Sequence, residues 1–187
     1  MKNVILIHGF NGIPKIYEWL KAKLEAQSVK VILPSFPPQE GVIYEDWARI
    51  LDKYKEYIND NSIVVCHSIG NEFIIKYLAE KNLPIDTYIG LAGFAEKFHH
   101  EGKEALNIAV EKFLVNDEEK QKFISLSKKR YAIYSDDDHI VPFNALNAYP
   151  KEINAEPILI PNRGHMGKRS GMEQFPELLN LVTDNLD

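Results

Sequence analysis

With a single cysteine in 187 residues, the chain cannot close an intramolecular disulfide. A reducing, cytoplasmic setting is the expectation that follows. Long apolar runs are missing too. No stretch of 18 apolar residues occurs, so no transmembrane helix is expected. The four apolar residues at positions 4–7 are too few for the hydrophobic core of a signal peptide. Positive charge is in deficit: 22 Lys and Arg against 27 Asp and Glu leave a net charge of −5. That balance argues against nucleic acid and against an anionic membrane as partners. Repeats, low-complexity segments and linkers rich in Gly or Ser are also lacking, so residues 1–187 are expected to form one domain. What remains is an ordinary globular mixture, 45% hydrophobic and 26% charged.

Short apolar runs alternate with segments of helical spacing. The run at 4–7 is unbroken Val, Ile and Leu, the mark of a strand covered on both faces. Tyr17, Leu20 and Leu24 then space a helix reaching Ala26. A second strand is expected at 29–33, closed by Pro34, with a loop over 35–41. Tyr44, Trp47, Ile50, Leu51, Tyr54 and Ile58 predict one continuous helix. Further strands are expected at 63–66, 86–92, 131–134 and 157–160, and further helices at 71–80, 142–148 and 175–186. The least regular part, about 94–129, is read as a small helical insertion of two helices broken near Asn116 and Asp117. Strictly alternating strands and helices point to an α/β fold, a parallel sheet with helices on both faces.

The stretch that organises the chain is Cys66-His67-Ser68-Ile69-Gly70. A serine sits between the end of a strand and the start of a helix, which is the setting of the nucleophile elbow G-x-S-x-G. Cys66 departs from the first glycine of that pattern. In open α/β sheets ligands bind at the carboxyl ends of the strands. Those ends carry His8, Gly9, Phe10 and Asn11 after the first strand and Ser68 after the third. The run Asp136-Asp137-Asp138-His139 follows the fifth, and Gly164-His165 the sixth. Serine, aspartate and histidine thus occur in the chain order expected of α/β-hydrolases. The residue types fit acyl transfer. A serine hydroxyl needs a base to take its proton, a histidine can accept and return that proton, and an aspartate orients the imidazole. Backbone N–H groups would receive the oxyanion. Ile69 is one candidate and Phe10, ahead of Asn11, the other.

These motifs, together with Asp138-His139-Ile140-Val141-Pro142, resemble the α/β-hydrolase superfamily. The resemblance is to its small serine hydrolase branch, which includes retinoblastoma-binding protein 9 and YdeN-like proteins, and it covers nearly the whole chain. It implies a minimal three-layer fold with a mostly parallel six-stranded sheet in the order 2-1-3-4-5-6. It implies catalysis by Ser68, Asp138 and His165, with Phe10 and Ile69 at the oxyanion. Asp138 is preferred to Asp136 and Asp137 because D-x-x-V-P surrounds the acid in that branch. No cofactor and no metal are implied.

Other residues have plainer readings. His67 is read as part of the strand turn rather than a second base, and His8 as shaping the oxyanion loop. Asp136 and Asp137 are read as loop solvation, Cys66 as buried and inert. His99-His100-Glu101 falls on a presumed helix, where adjacent side chains diverge and cannot converge on one ion. Phe94, Phe98 and Phe113 line an acyl pocket or belong to the core. The charged insertion, with Glu96, Lys97, Glu101, Lys103 and Glu104, is unlike a lipase lid. The expected enzyme is a serine hydrolase of a small or medium ester, thioester or amide. The alternative is a protein-binding module on a hydrolase fold, its partner unidentified.

Overall fold

Six parallel strands build one sheet in the order β2-β1-β3-β4-β5-β6. They are β1 Asn3–Ile7, β2 Val31–Ile32, β3 Ser62–His67, β4 Ile85–Leu91, β5 Ser127–Tyr134 and β6 Glu156–Leu159. The computed structural model describes residues 2–37, 43–94, 96–168 and 170–186. Every residue of β3 and β4 is buried. Because neighbouring strand residues face opposite sides, both faces of the sheet are covered. The register pairs Ile7 with Cys66, His67 with Leu91 and Leu91 with Ile133. Four strands therefore end along one line, and the loops after them share one edge of the sheet.

Helices α1 Lys15–Glu25 and α7 Pro176–Thr183 pack together. Helices α2 Tyr44–Leu51, α4 Glu104–Phe113 and α5 Asp117–Leu126 pack on α3 Ile69–Lys81. Helix α6 Phe143–Glu152 lies against β5 and β6. An aromatic knot ties this side together. Trp47 stacks on Phe36 at 4.7 Å between ring centroids and meets Phe73 and Phe113 edge-on, each at 5.2 Å. Offset and edge-on ring pairs of this kind add to the area they bury. Phe113 is thus core, and so are Phe94 and Phe98, which meet each other edge-on.

The sheet order and the alternation agree with the sequence reading, and the differences have local causes. The helix expected to run on to Ile58 tightens after Leu51 into a 3-10 helix, Asp52–Tyr57. Tyr54 and Tyr57 are its half-buried positions, three apart, which is the spacing of one 3-10 face. Strand β5 begins four residues early, because Ser127 to Arg130 pair with β4 although three of the four are cationic. The β4–β5 connection is consequently 92–126 rather than 94–129. The break inside it falls where expected: Asn116 Oδ1 accepts the Glu119 N–H at 2.9 Å and Glu119 answers with the Asn116 N–H at 2.8 Å. His99, His100 and Glu101 are not helical. They precede Gly102, whose φ of +72° no helix accommodates. Helix α6 runs one turn past its expected end, through Pro150. Positions 38–42 of the expected 35–41 loop lie outside the described residues.

Glu72 of α3 is fully buried, and its Oε2 accepts the Val115 N–H of the α4–α5 connection at 3.0 Å. Its other oxygen, Oε1, meets no hydrogen-bond partner. Burial pushes this carboxyl up to about 8, against the pull of the Val115 N–H and of the Lys120 charge. The folded protein therefore keeps a proton that the unfolded chain releases near the ordinary value of 4.5. Folding takes up that proton between the two pH values, so Glu72 costs more stability as pH rises through this window and its full penalty above it. Glu72→Gln should flatten the fall in melting temperature between about pH 5 and 8, the gain reaching a few kcal/mol at the alkaline end. Parallel curves for the two proteins across that range would show that Glu72 is not the buried acid described.

Candidate active site

Ser68 is the single residue between β3 and α3, and it holds φ 54° and ψ −129°. An L-residue at positive φ carries strain of order 1–3 kcal/mol, so its surroundings must hold it there. They do so from three sides. The Ser68 N–H donates to the Leu91 carbonyl at 2.9 Å. The Ser68 carbonyl accepts both the Asn71 N–H at 2.9 Å and the Asn71 side-chain amide at 2.7 Å. The same amide reaches the Leu91 carbonyl at 3.0 Å. Asn71 Oδ1 in turn accepts the Tyr88 hydroxyl at 2.5 Å. That commits the Tyr88 proton, so Tyr149 donates its own to the Tyr88 oxygen at 2.6 Å. The third side is Gly70. A Cβ there would stand 2.7 Å from the His8 carbonyl, so only glycine lets α3 approach the end of β1 this closely. Cys66 lies below, fully buried, its thiol pushed well up by burial and so inert, as expected.

The loop after β1 faces the serine. Its His8 is fully buried and has both ring nitrogens committed. Nε2 accepts the Phe36 N–H at 2.9 Å, so the ring proton is on Nδ1, which donates to the Gly9 carbonyl at 2.8 Å. Burial lowers the His8 pKa, the Gly9 bond resists that, and the charge of Lys168 adds to it. The Gly12 N–H also donates to the Gly9 carbonyl, at 3.1 Å. In a trans peptide the carbonyl and the following N–H point opposite ways. With the Gly9 oxygen held back by two donors, the Phe10 N–H is turned away from the loop. Ile69 opens α3, so its N–H is among those a helix leaves unpaired.

His67 is buried, and its Nε2–H donates to the His165 carbonyl at 2.8 Å. Burial, helped by the neighbouring His165 ring, brings its pKa down to about 3. It is a strut under His165 rather than a base, as the sequence reading held.

His165 Nδ1 lies 2.8 Å from Asp138 Oδ2, and its Nε2 lies 3.1 Å from Ser68 Oγ. Asp138 Oδ1 accepts the N–H groups of Ile140 and Val141 at 2.8 and 3.0 Å. Burial would raise this carboxyl, but the His165 bond and the two backbone donors hold it below the usual aspartate value. An ionised Asp138 keeps the imidazole proton on Nδ1 and turns a bare Nε2 toward Ser68. The three expected residues are thus joined in one chain of hydrogen bonds.

Asp136 and Asp137 do more than solvate their loop. Asp136 Oδ1 accepts the Asn162 N–H at 3.0 Å, and Asp137 Oδ1 accepts the Gly164 N–H at 2.7 Å. Both therefore fasten the segment that carries His165. Asn71, Tyr88 and Tyr149 were missing from the sequence reading. Asn71 had a signal: a short polar side chain in the first turn of an otherwise apolar helix, able to bond locally to the backbone. Tyr88 and Tyr149 are 61 residues apart and had none.

Above Ser68 opens a cleft of about 420 Å³, within the range of small-molecule sites. Phe10, Leu106, Ile140 and His165 are among its walls, and Phe94, Phe98 and Phe113 are not. Helix α4 enters it with its first turn. No helix among the described residues is long and apolar enough to cross a membrane.

The sheet order, the elbow and the Ser68–His165–Asp138 chain define the α/β-hydrolase fold. A family model described as serine hydrolase matches residues 4–184, and the chain belongs to that family. It is 27% identical over 186 residues to YdeN of Bacillus subtilis (strain 168), covering 97% of this chain and 95% of YdeN. The crystal structure of that ydeN gene product superposes with a TM-score of 0.85 over 99% of this chain and 98% of the other. A carboxylesterase of Nitrososphaera gargenis (TM-score 0.73, 16% identity, 99% of this chain and 89% of that one) shares the fold. So does a meta-cleavage product hydrolase of Pseudomonas fluorescens IP01 (TM-score 0.72, 14% identity, 99% and 90%).

Asp138→Asn should lower kcat by about four orders of magnitude, because an amide that donates to Nδ1 selects the wrong tautomer. Asp137→Asn, which disturbs the bonds to Gly164 and Ser135 but leaves the His165 ring its carboxylate, should cost far less. Steady-state kinetics of the two variants on one ester decides this; the larger loss in Asp137→Asn would move the acid by one residue.

Proposed function

We propose that this chain hydrolyses a carboxylic ester, thioester or amide of small or medium size through an acyl-enzyme on Ser68. His165 takes the Ser68 proton as the oxygen attacks the carbonyl and then delivers it to the leaving group. Asp138 holds the imidazole and stabilises its charged form. The N–H groups of Phe10 and Ile69 receive the oxyanion, the kind of stabilisation whose loss costs about 100- to 1000-fold in known cases. Water, activated by His165 in turn, releases the acid. No step calls on a cofactor. The observation that carries the reading is His165 reaching Asp138 on one side at 2.8 Å and Ser68 Oγ on the other at 3.1 Å. A binding module would have no reason to keep a serine strained at φ 54° at the floor of a cleft. The lone buried cysteine supports a cytoplasmic setting.

Fluorophosphonate labelling followed by intact mass tests the nucleophile. Wild type should gain one adduct, and Ser68→Ala should gain none and lose ester hydrolysis while melting cooperatively. Near-normal turnover in Ser68→Ala would refute the reading.

Chain length tests the cleft. Its volume and the short first turn of α4 favour short-chain p-nitrophenyl esters over long-chain ones, with no jump in rate when the substrate forms micelles. Preference for long acyl chains, or interfacial activation, would mean a deeper pocket than the structure holds.

A further inference from the structure

The cleft over Ser68 is charged against the balance of the chain. The protein as a whole carries −5, yet among the described residues the Lys, Asp and Glu side chains lining the cleft are Lys103, Lys168 and one acid, Glu104. Lys103 precedes α4, and Lys168 follows His165 by three residues, so the two cations come from different loops. Several lysines elsewhere find carboxylates, among them Lys15 with Glu173, Lys21 with Glu25, Lys97 with Glu111, and Lys120 with Asp117 and Glu152. Among the described residues neither Lys103 nor Lys168 is in an ion pair. Lys103 Nζ lies 3.2 Å from His100 Nε2, an imidazole rather than a carboxylate. Lys168 is close enough to the oxyanion loop for its charge to be felt at His8. Two cations without carboxylate partners at the mouth of a cleft leave room for an anion brought by the ligand. They also concentrate anions near the site, an effect that salt weakens.

We propose that the substrate carries an anionic group, a carboxylate or similar compact anion, that Lys103 and Lys168 receive while its ester or amide carbonyl lies at Ser68. This rests on the hydrolase reading above. The anion is part of the acyl group or of the leaving group, and the probes separate the two.

The test compares matched esters. The p-nitrophenyl monoester of adipic acid against p-nitrophenyl hexanoate places the charge on the acyl side. The hexanoate of 4-hydroxybenzoate against that of 4-hydroxybenzamide places it on the leaving group. Each kcat/KM is normalised to the rate of hydroxide hydrolysis. For one of the two pairs the anionic member should win by roughly three- to tenfold at low salt, the advantage shrinking at high salt. Lys103→Gln and Lys168→Gln should each reduce that ratio by about two- to fivefold, as exposed ion pairs do. Lys103→Arg and Lys168→Arg should keep it, and Glu104→Gln should raise it. Ratios at or below one for both pairs, or a ratio that neither glutamine variant moves, overturn the proposal even while fluorophosphonate labels Ser68. Absence of both labelling and neutral-ester hydrolysis overturns the hydrolase reading and this inference with it.

Discussion

The backbone of Ser68 is the constraint around which the molecule is arranged. A residue held at φ 54° would relax if its peptide groups were free to turn. The Leu91 carbonyl fixes one side, and Asn71 fixes the other with two donors. Asn71 is itself held by Tyr88, and Tyr88 by Tyr149, so a relay of buried side chains from three elements ends at the elbow. The fold makes room for this relay at two glycines. A Cβ on Gly90 would stand 2.6 Å from the Tyr88 hydroxyl, and one on Gly93 would overlap the Tyr149 ring. Such satisfied buried networks specify one arrangement, whereas a half-satisfied one would be worse than an apolar core.

Three buried imidazoles, His8, His67 and His165, crowd this end of the sheet, and their environments differ. His8 and His67 are both buried with a backbone partner, and each is held neutral for its own reason. The Phe36 N–H needs a bare Nε2 on His8, while low-dielectric surroundings and the His165 ring disfavour a charge on His67. His165 alone has a carboxylate on one nitrogen and a hydroxyl on the other. Burial thus disfavours a charge on His8 and His67, while His165 is the ring that faces Ser68. The two bystanders still matter through position: His8 turns the Gly9 peptide, and His67 carries the carbonyl of His165.

Much of this was legible in the sequence because it rests on local patterns. Unbroken apolar runs marked the doubly covered strands. Strand-then-helix context marked Ser68, and the positions just past the strands brought Asp138 and His165 into consideration. The parts that were not legible depend on contacts between distant segments. Tyr88 reads as an ordinary strand residue until Tyr149 is beside it, and the three phenylalanines of the 94–113 stretch gave no sign of which way they face. The start of β5 was hidden for a different reason. Ser127, Lys128, Lys129 and Arg130 pair like any strand while their polar side chains find partners near the sheet's amino end, as Lys128 does with Asp86 at 3.5 Å. Hydrophobic pattern registers only burial, so a strand segment that keeps its charges in water or in ion pairs escapes it.

Asp136 and Asp137 read in sequence as loop solvation beside Asp138, and the composition of the run 135–138 has a more specific cause. Four consecutive side chains meet four consecutive residues of the last loop. Asp136 takes the Asn162 N–H, Ser135 the Arg163 N–H at 2.9 Å, Asp137 the Gly164 N–H and Asp138 the His165 ring. Ser135 also donates to Asp137 at 2.6 Å, which keeps the two carboxylates at 136 and 137 on separate tasks. A loop in water gains little from any one of these bonds, about 1 kcal/mol net or less for each. Their value lies in number and sequence. A base must hold its nitrogen within a few tenths of an ångström of the hydroxyl it serves, and a loop anchored at one point would let it swing. Fastened at 162, 163 and 164 from one side and from beneath by His67, residue 165 has little freedom left. The acid residues of this run are therefore divided between holding the loop and holding the ring, and only Asp138, at the inner end of the run, is buried deeply enough to face the ring.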